Sequence, residues 1–256
     1  MSILVTGASA GFGRAICRKL IGAGYRVIGA ARRADKLAEL RTELGENFLP
    51  LTMDVGDTAS VDAALQGLPE NFAQIDCLVN NAGLALGLDP AYQADFADWQ
   101  TMIQTNVIGL SYLTRQVLPG MVARGKGYVI NLGSVVGTYP YPGGNVYGAT
   151  KAYVRQFSLN LRADLAGTGV RVSNIEPGLC GDTEFSNVRF KGDDQRAADL
   201  YANVGFIRPE DIADTVLWLY QRPAHMNVNS IEIMPAAQSF AALTVTRRPA
   251  EEKESP

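Results

Sequence analysis

Histidine and cysteine are scarce in this chain of 256 residues: one histidine, His225, and three cysteines. Cys17, Cys77 and Cys180 are odd in number, far apart and without metal-ligand spacing. That argues against a disulfide framework and a Cys/His metal site, and makes a reducing, cytoplasmic setting the expectation. A lone His225, read as a loop or packing residue, sends the search for a general acid or base to other side chains. Basic clusters are absent, the net charge is −3 and the pI about 5.3, so nucleic acid is not an expected partner. No apolar run approaches the roughly 18 residues of a membrane span. Met1 leads straight into SILVTG, without the pattern of a signal peptide. Internal repeats and linkers rich in proline, glycine or serine are lacking too.

What is present is an alternation. Short apolar runs occur at 3–7 (ILVTG), 26–31 (RVIGAA), 48–55 (FLPLTMDV), 77–83 (CLVNNAG), 128–134 (YVINLGS), 171–178 (RVSNIEPG) and 230–235 (SIEIMP). Such continuous runs fit strands buried on both faces. Helical patterns lie between them, as at 35–44 and 95–118; in the latter Trp99, Ile103, Val107, Leu110 and Val117 recur at helical spacing. Strand–helix alternation predicts right-handed crossovers and an α/β fold: one Rossmann-type, doubly wound domain with a mostly parallel seven-stranded sheet flanked by helices. The domain is expected over 1–246, followed by a charged, disordered tail over 247–256.

The first strand runs into TGASAGFG, and a helical pattern (Ala15, Ile16, Leu20, Ile21) follows. Glycines at 7, 11 and 13 permit a tight turn and let backbone N–H groups approach a phosphate at the helix N-terminus, where the dipole favours negative charge. A glycine-rich turn needed only for packing is the plainer alternative, but its place between strand and helix favours dinucleotide binding. At the end of the second strand, where an acidic residue would hold the ribose 2′-hydroxyl of NAD, stand Arg32 and Arg33. Guanidinium matches a 2′-phosphate, so NADP(H) is the expected cofactor. One of the pair, Arg33 sooner than Arg32, is alternatively a solvated surface group. Asp54 follows the third strand, placed to reach the adenine edge or to make a turn.

In GNVYGATKAYVRQFS (144–158), Tyr147 and Lys151 are one helical turn apart and share a face. A nearby cation stabilises a phenolate, whose parent phenol otherwise titrates near ~10. The pair supplies acid/base chemistry without histidine, although an ordinary helix start with a surface lysine has the same spacing. Ser134 ends a strand, where open α/β sheets place ligands. Asn106 sits within an apolar helix stripe, either exposed or buried with partners.

Together these motifs resemble the short-chain dehydrogenase/reductase family from Ile3 to about Pro235. TGASAGFG is similar to its TGxxxGxG, NNAG (80–83) to its cofactor motif, Asn106, Ser134, Tyr147 and Lys151 to its catalytic tetrad, and Pro177-Gly178 to its motif after the sixth strand. Within the family the chain is most similar to bacterial NADP-dependent 3-hydroxy acid dehydrogenases, acting on serine, allo-threonine, 3-hydroxypropionate or malonic semialdehyde. The resemblance implies Tyr147 as proton donor or acceptor, and Lys151 as the residue that lowers its pKa and binds the nicotinamide ribose. It implies Ser134 orienting the substrate oxygen and Asn106 holding a relay water. For the cofactor it implies a cradle of Gly7, Ala8, Ser9, Ala10, Gly11, Phe12 and Gly13, with Asp54 and Val55 flanking the adenine. Asn81, Ala82 and Gly83 would lie against its ribose, and Pro177, Gly178, Thr183 and Phe185 along the nicotinamide. Thr183 lies one residue beyond the family's PGxxxT, and Asp182 is an unexpected neighbour. In SNVRFKGDD (186–194), Arg189 or Lys191 is placed to bind a substrate carboxylate, or both are solvated charges on a polar lid. Family members pair through helices here near 95–118 and 147–166, so a homotetramer is expected. A reductase of sugars or hydrophobic ketones, and a non-catalytic NADP(H)-binding regulator, are the alternatives.

Overall fold

The computed structural model describes residues 1–239, so the expected tail at 247–256 and the domain boundary at 246 lie outside the described residues. The elements run β1 Ser2–Thr6, α1 Gly11–Gly22, β2 Arg26–Ala31, α2 Ala34–Leu44, β3 Phe48–Thr52, α3 Thr58–Gln66, α4 Glu70–Ala73 and β4 Ile75–Asn80. Then come α5 Phe96–Ile103, a π-helical stretch Gln104–Gly109, α6 Leu110–Ala123, β5 Gly127–Leu132, a 3₁₀ turn Val135–Gly137 and α7 Asn145–Asp164. The chain continues through β6 Val170–Pro177, α8 Phe185–Arg189, α9 Asp194–Asp199, α10 Pro209–Tyr220 and β7 Ser230–Ile233. Among the described residues no helix is long and apolar enough to cross a membrane.

The strands form one seven-stranded sheet in the order β3-β2-β1-β4-β5-β6-β7, with every pairing parallel. The interior strands β1, β4 and β5 are buried at every position, as runs without alternation require in a sheet covered on both faces. One face packs against α1 and α10 through residues such as Ile16, Leu20, Ile212 and Val216. Leu113, Val117 and Leu161, from α6 and α7, pack on the other. Order reverses between β1 and β4, so a crevice opens at their carboxyl ends. Thr6 stitches that crevice: its Oγ1 accepts the N–H groups of Asn81 and Ala82 at 3.0 and 2.9 Å, and its carbonyl accepts Asn81 Nδ2 at 2.8 Å.

The long helix expected over 95–118 is continuous, but its buried face is not the one the periodicity marks at its start. Met102 and Asn106 are buried and Ile103 is exposed, whereas Leu110, Leu113 and Val117 face inward. The wide π turn at Gln104–Gly109 shifts the phase between the two halves, so one period of 3.6 cannot serve both.

Gly13, in the first turn of α1, admits no side chain: a Cβ there would lie 2.2 Å from the Gly7 carbonyl oxygen. Gly22, near the end of α1, has open space around it. Gly13→Ala is therefore expected to destabilise the fold by about 1–3 kcal/mol, while Gly22→Ala is neutral or slightly stabilising. Urea unfolding of both variants checks this, and similar midpoints for the two would contradict it.

Candidate active site

A cavity of about 640 Å³ lies along the carboxyl edge of the sheet. The segment after each of the first six strands contributes to its wall: Gly7–Phe12 apart from Ala8, then Arg32 and Arg33, Asp54 and Val55, Asn81–Leu84, Gly133–Val136, and Pro177–Cys180. Tyr147, Lys151, Thr183, Phe185 and Arg189 complete the set that the sequence singled out. Three expected residues stand behind the wall. Ala8 is packed in the core, Gly13 lies against the Gly7 backbone, and Asn106 is buried beneath Leu84.

The loop after β1 fits a dinucleotide. Gly7 and Gly11 hold positive φ of 68° and 47°, and a Cβ on Gly7 would sit 2.8 Å from Asn81 Nδ2. The start of α1 faces the cavity, so its unpaired N–H groups and dipole can receive a diphosphate. At the end of β2 both arginines line the cavity. Arg33, read as the more solvated of the two, is the one held in place: Nε and Nη2 donate to Ser9 Oγ at 3.2 and 3.0 Å, and Nη1 lies 2.9 Å from Glu184 Oε2. Asp54 makes a turn, its Oδ1 accepting the Gly56 N–H at 2.9 Å, and lines the cavity.

The register of α7 brings the acid/base pair inside. Asn145 opens the helix, with its Oδ1 accepting the Val146 N–H at 2.7 Å. Val154, Leu161 and Leu165 bury the stripe that seats it. Tyr147 and Lys151 thus face the cavity together and both are buried. Lys151 Nζ donates to the Leu132 carbonyl at the end of β5, at 2.8 Å. Burial lowers the Lys151 pKa from 10.5 to about 8. Tyr147 moves the other way: burial pushes its phenol well above its ordinary value, and the Tyr141 hydroxyl adds to this. The Arg189 guanidinium and the Ser134 hydroxyl pull it back. Burial is the larger influence on the phenol, ahead of the neighbouring Arg189 cation, and Lys151 stands further back. Its Nζ lies 5.9 Å from the Tyr147 ring centre and is committed to Leu132, and desolvation outweighs the cations present.

Asn106 is the buried alternative of the two readings. Its Oδ1 accepts the Leu84 N–H at 3.0 Å, and its Nδ2 donates to the Leu84 carbonyl at 2.9 Å and to Thr150 Oγ1 at 3.1 Å. Thr150 in turn donates to the Tyr147 carbonyl at 2.8 Å. Both amide hydrogens are thereby spent on protein, joining the loop after β4 to α7. Ser134 Oγ donates to the Pro177 carbonyl at 3.2 Å, which places the hydroxyl between the ends of β5 and β6.

Of the two candidate carboxylate binders, only Arg189 reaches the cavity. Its Cζ lies 5.7 Å from the Tyr147 ring centre, its Nε donates to the Gly87 carbonyl at 3.2 Å, and its Nη2 donates to Tyr141 Oη at 2.5 Å. Lys191 instead pairs with Asp98 at 2.9 Å on the surface. Tyr141 and Glu184 line the site without having been singled out. Tyr141 sits in an irregular loop before α7, where no periodicity marks a tyrosine, and Glu184 carried no motif.

Fold, cradle and acid/base pair define a dinucleotide-dependent dehydrogenase, and the family match is direct. The family model for short chain dehydrogenase matches residues 1–194. The chain belongs to the short-chain dehydrogenase family. It is 65% identical over 244 residues to a "Probable NADP-dependent dehydrogenase" of Haemophilus influenzae, covering 95% of this chain and 97% of that one. It is 57% identical to "NADP-dependent 3-hydroxy acid dehydrogenase YdfG" of Salmonella typhi, covering 96% and 100%. A solved structure, "The Closed form of serine dehydrogenase complexed with NADP+", superposes with a TM-score of 0.96 at 56% identity, over 97% of this chain and all of that one.

The depressed lysine leaves a signature in stability. Below about 8 Lys151 is charged in both the folded and the unfolded chain, and the fold bears the full cost of burying the charge. Between about 8 and 10.5 the unfolded chain binds the extra proton, so stability rises with pH across that window. Lys151→Met lacks this rise. Urea unfolding at about pH 7.5 and pH 9.5 is expected to show the wild type gaining on the variant by up to ~2 kcal/mol; parallel profiles would sink the assignment.

Proposed function

We propose that this chain is an NADP(H)-dependent oxidoreductase of 3-hydroxy acids and their 3-oxo counterparts, of the serine or 3-hydroxypropionate size. The observation that carries the reading is Arg189 standing over the Tyr147 ring in the cavity that also holds Ser134 and Lys151. A guanidinium has five N–H hydrogens, so with Gly87 and Tyr141 served it keeps others for a carboxylate. A 3-hydroxy acid carries its carboxylate two carbons from the reacting carbon, which suits one anchor beside the phenol. The NADP(H) reading is supported by the arginine pair after β2 and by the names of the similar proteins.

The bound nicotinamide supplies or accepts the hydride. The chain's own residues do the rest. Tyr147 Oη exchanges the proton with the substrate oxygen. Burial favours the protonated phenol, the form that donates a proton in reduction. Ser134 Oγ holds the substrate oxygen beside it. Lys151, held on the Leu132 carbonyl, would bind the nicotinamide ribose and places a cation beside the phenol. Asn106 acts through Thr150 and Leu84, holding α7 and the loop after β4 in register. A relay water on the Asn106 side chain would have only the second lone pair of Oδ1 to donate to.

The reading extends to a single catalytic domain in a cytoplasmic enzyme, assembled as a homotetramer. Ile103 and Ile108 on the α5–α6 helix, and Tyr153 and Leu159 on α7, expose apolar surface on the two helices that family members use for pairing.

Tyr147→Phe is expected to lower kcat by at least about 10²-fold while NADPH binding, read by fluorescence titration, stays near wild type. Substantial turnover by the variant would remove Tyr147 from the proton transfer. Arg189→Ala is expected to raise KM for serine or 3-hydroxypropionate about tenfold or more, and to affect an uncharged alcohol much less. An equal loss on both would mean that Arg189 only supports its segment. Sedimentation at micromolar concentration is expected to give the mass of four chains, and a monomer would contradict the assembly.

A further inference from the structure

Beside the glycine loop a second cavity, of about 530 Å³, has walls of opposite charge. Arg14 and Lys36 line it together with Asp182 and Glu184. Ser9 and Glu184 belong to both this cavity and the larger one, and Arg33 stands between them. The Nε/Nη2 edge of Arg33 lies on Ser9 Oγ, and its Nη1 lies 2.9 Å from Glu184 Oε2. An acidic side chain is thus seated on one of the two arginines that the NADP(H) reading offers to the 2′-phosphate.

Two anions on one guanidinium compete. A phosphate monoester carries about −1.5 to −2 charges near neutral pH, and it binds arginine best by two parallel N–H bonds. With the Nε/Nη2 edge of Arg33 on Ser9, a phosphate that takes the Nη1/Nη2 edge bidentately meets Glu184 at the same Nη1. Glu184 is the one repelled, and Asp182 nearby in the same wall adds to the negative potential it would have to share. The pair is also easy to exchange: the side chains of Arg33 and Glu184 are 43% and 56% exposed and meet through one N···O contact.

We propose that Glu184 is a specificity-tuning residue, an internal counter-ion that occupies Arg33 in place of the cofactor's 2′-phosphate and yields to it on binding. The proposal rests on the NADP(H) reading of the site. Glu184 lowers affinity for the phosphorylated dinucleotide and leaves affinity for the unphosphorylated one unchanged. It therefore narrows the preference that the arginines create.

Equilibrium binding tests this without turnover. NADPH, NADH, 2′,5′-ADP and 5′-AMP are titrated against the wild type, Glu184→Gln, Arg33→Ala and the double variant, with circular dichroism as the check on folding. Glu184→Gln is expected to bind NADPH and 2′,5′-ADP about two- to fivefold more tightly, the worth of an exposed ion pair. NADH and 5′-AMP should not respond, and the gain should vanish in the Arg33→Ala background. Weaker or unchanged binding of 2′,5′-ADP by Glu184→Gln overturns the proposal, because Glu184 would then orient Arg33 or leave it unaffected. A gain shared by 5′-AMP, or one that survives Arg33→Ala, overturns it as well. If the wild type itself binds NADPH no more tightly than NADH, the 2′-phosphate reading fails first and takes the proposal with it.

Discussion

A lysine ammonium taken out of water loses several kcal/mol of solvation unless something replaces it, and in this fold the replacement is the Leu132 carbonyl. That bond, from Lys151 Nζ to the end of β5, ties α7 to the sheet edge at the cavity, while the buried stripe of Val154, Leu161 and Leu165 seats the rest of the helix. Once α7 is fixed, Tyr147 enters the cavity one turn earlier, and Thr150 meets Asn106 on the side facing the loop after β4. The same constraint explains the depressed pKa of Lys151: a single carbonyl satisfies one of three donors, so desolvation is only partly offset.

The parallel sheet does the remaining assembly. Its strands all end on one edge, and residues far apart in sequence, from Gly7 to Cys180, meet there because the order reverses between β1 and β4. Thr6 then closes the crevice floor with its bonds to Asn81 and Ala82. The NNAG segment is thus partly structural. Asn81 spends its side-chain amide on the Thr6 carbonyl, and Ala82 and Gly83 line the wall.

Strands, the glycine cradle and the tyrosine–lysine pair were legible in the sequence because each depends on short-range chemistry. Apolar runs between helical patterns read as strands, and all seven appear within a few residues of their expected limits, although β3 and β7, at the sheet edges, are not buried on both faces. Features that depend on distant partners were not legible. Asn106 had two readings because its partners, Leu84 and Thr150, lie 22 and 44 residues away. The inward face of α5 was misplaced by one residue because a π turn leaves no mark in hydrophobic spacing. The acidity of Tyr147 could not be read from the pair alone. Spacing shows the cation, but burial of the phenol, which outweighs it, is a property of the assembled cavity.

Arg33 and Arg189 carry this contrast further. Both are arginines in or near short motifs, and the sequence offered each the same two readings, ligand contact or solvated charge. The fold gives both of them protein partners: Ser9 and Glu184 for Arg33, Gly87 and Tyr141 for Arg189. A guanidinium already oriented by such bonds loses less entropy on meeting an anion than a free surface arginine does. The two differ in what holds them. Arg189 is oriented by neutral groups, which leave its charge uncompensated and directed at Tyr147. Arg33 has a carboxylate on it, which offsets its charge until a stronger anion arrives. Preorganisation without neutralisation suits an anchor that must attract a small carboxylate. Preorganisation with a removable counter-ion suits a site that must bind a dinucleotide and then release it.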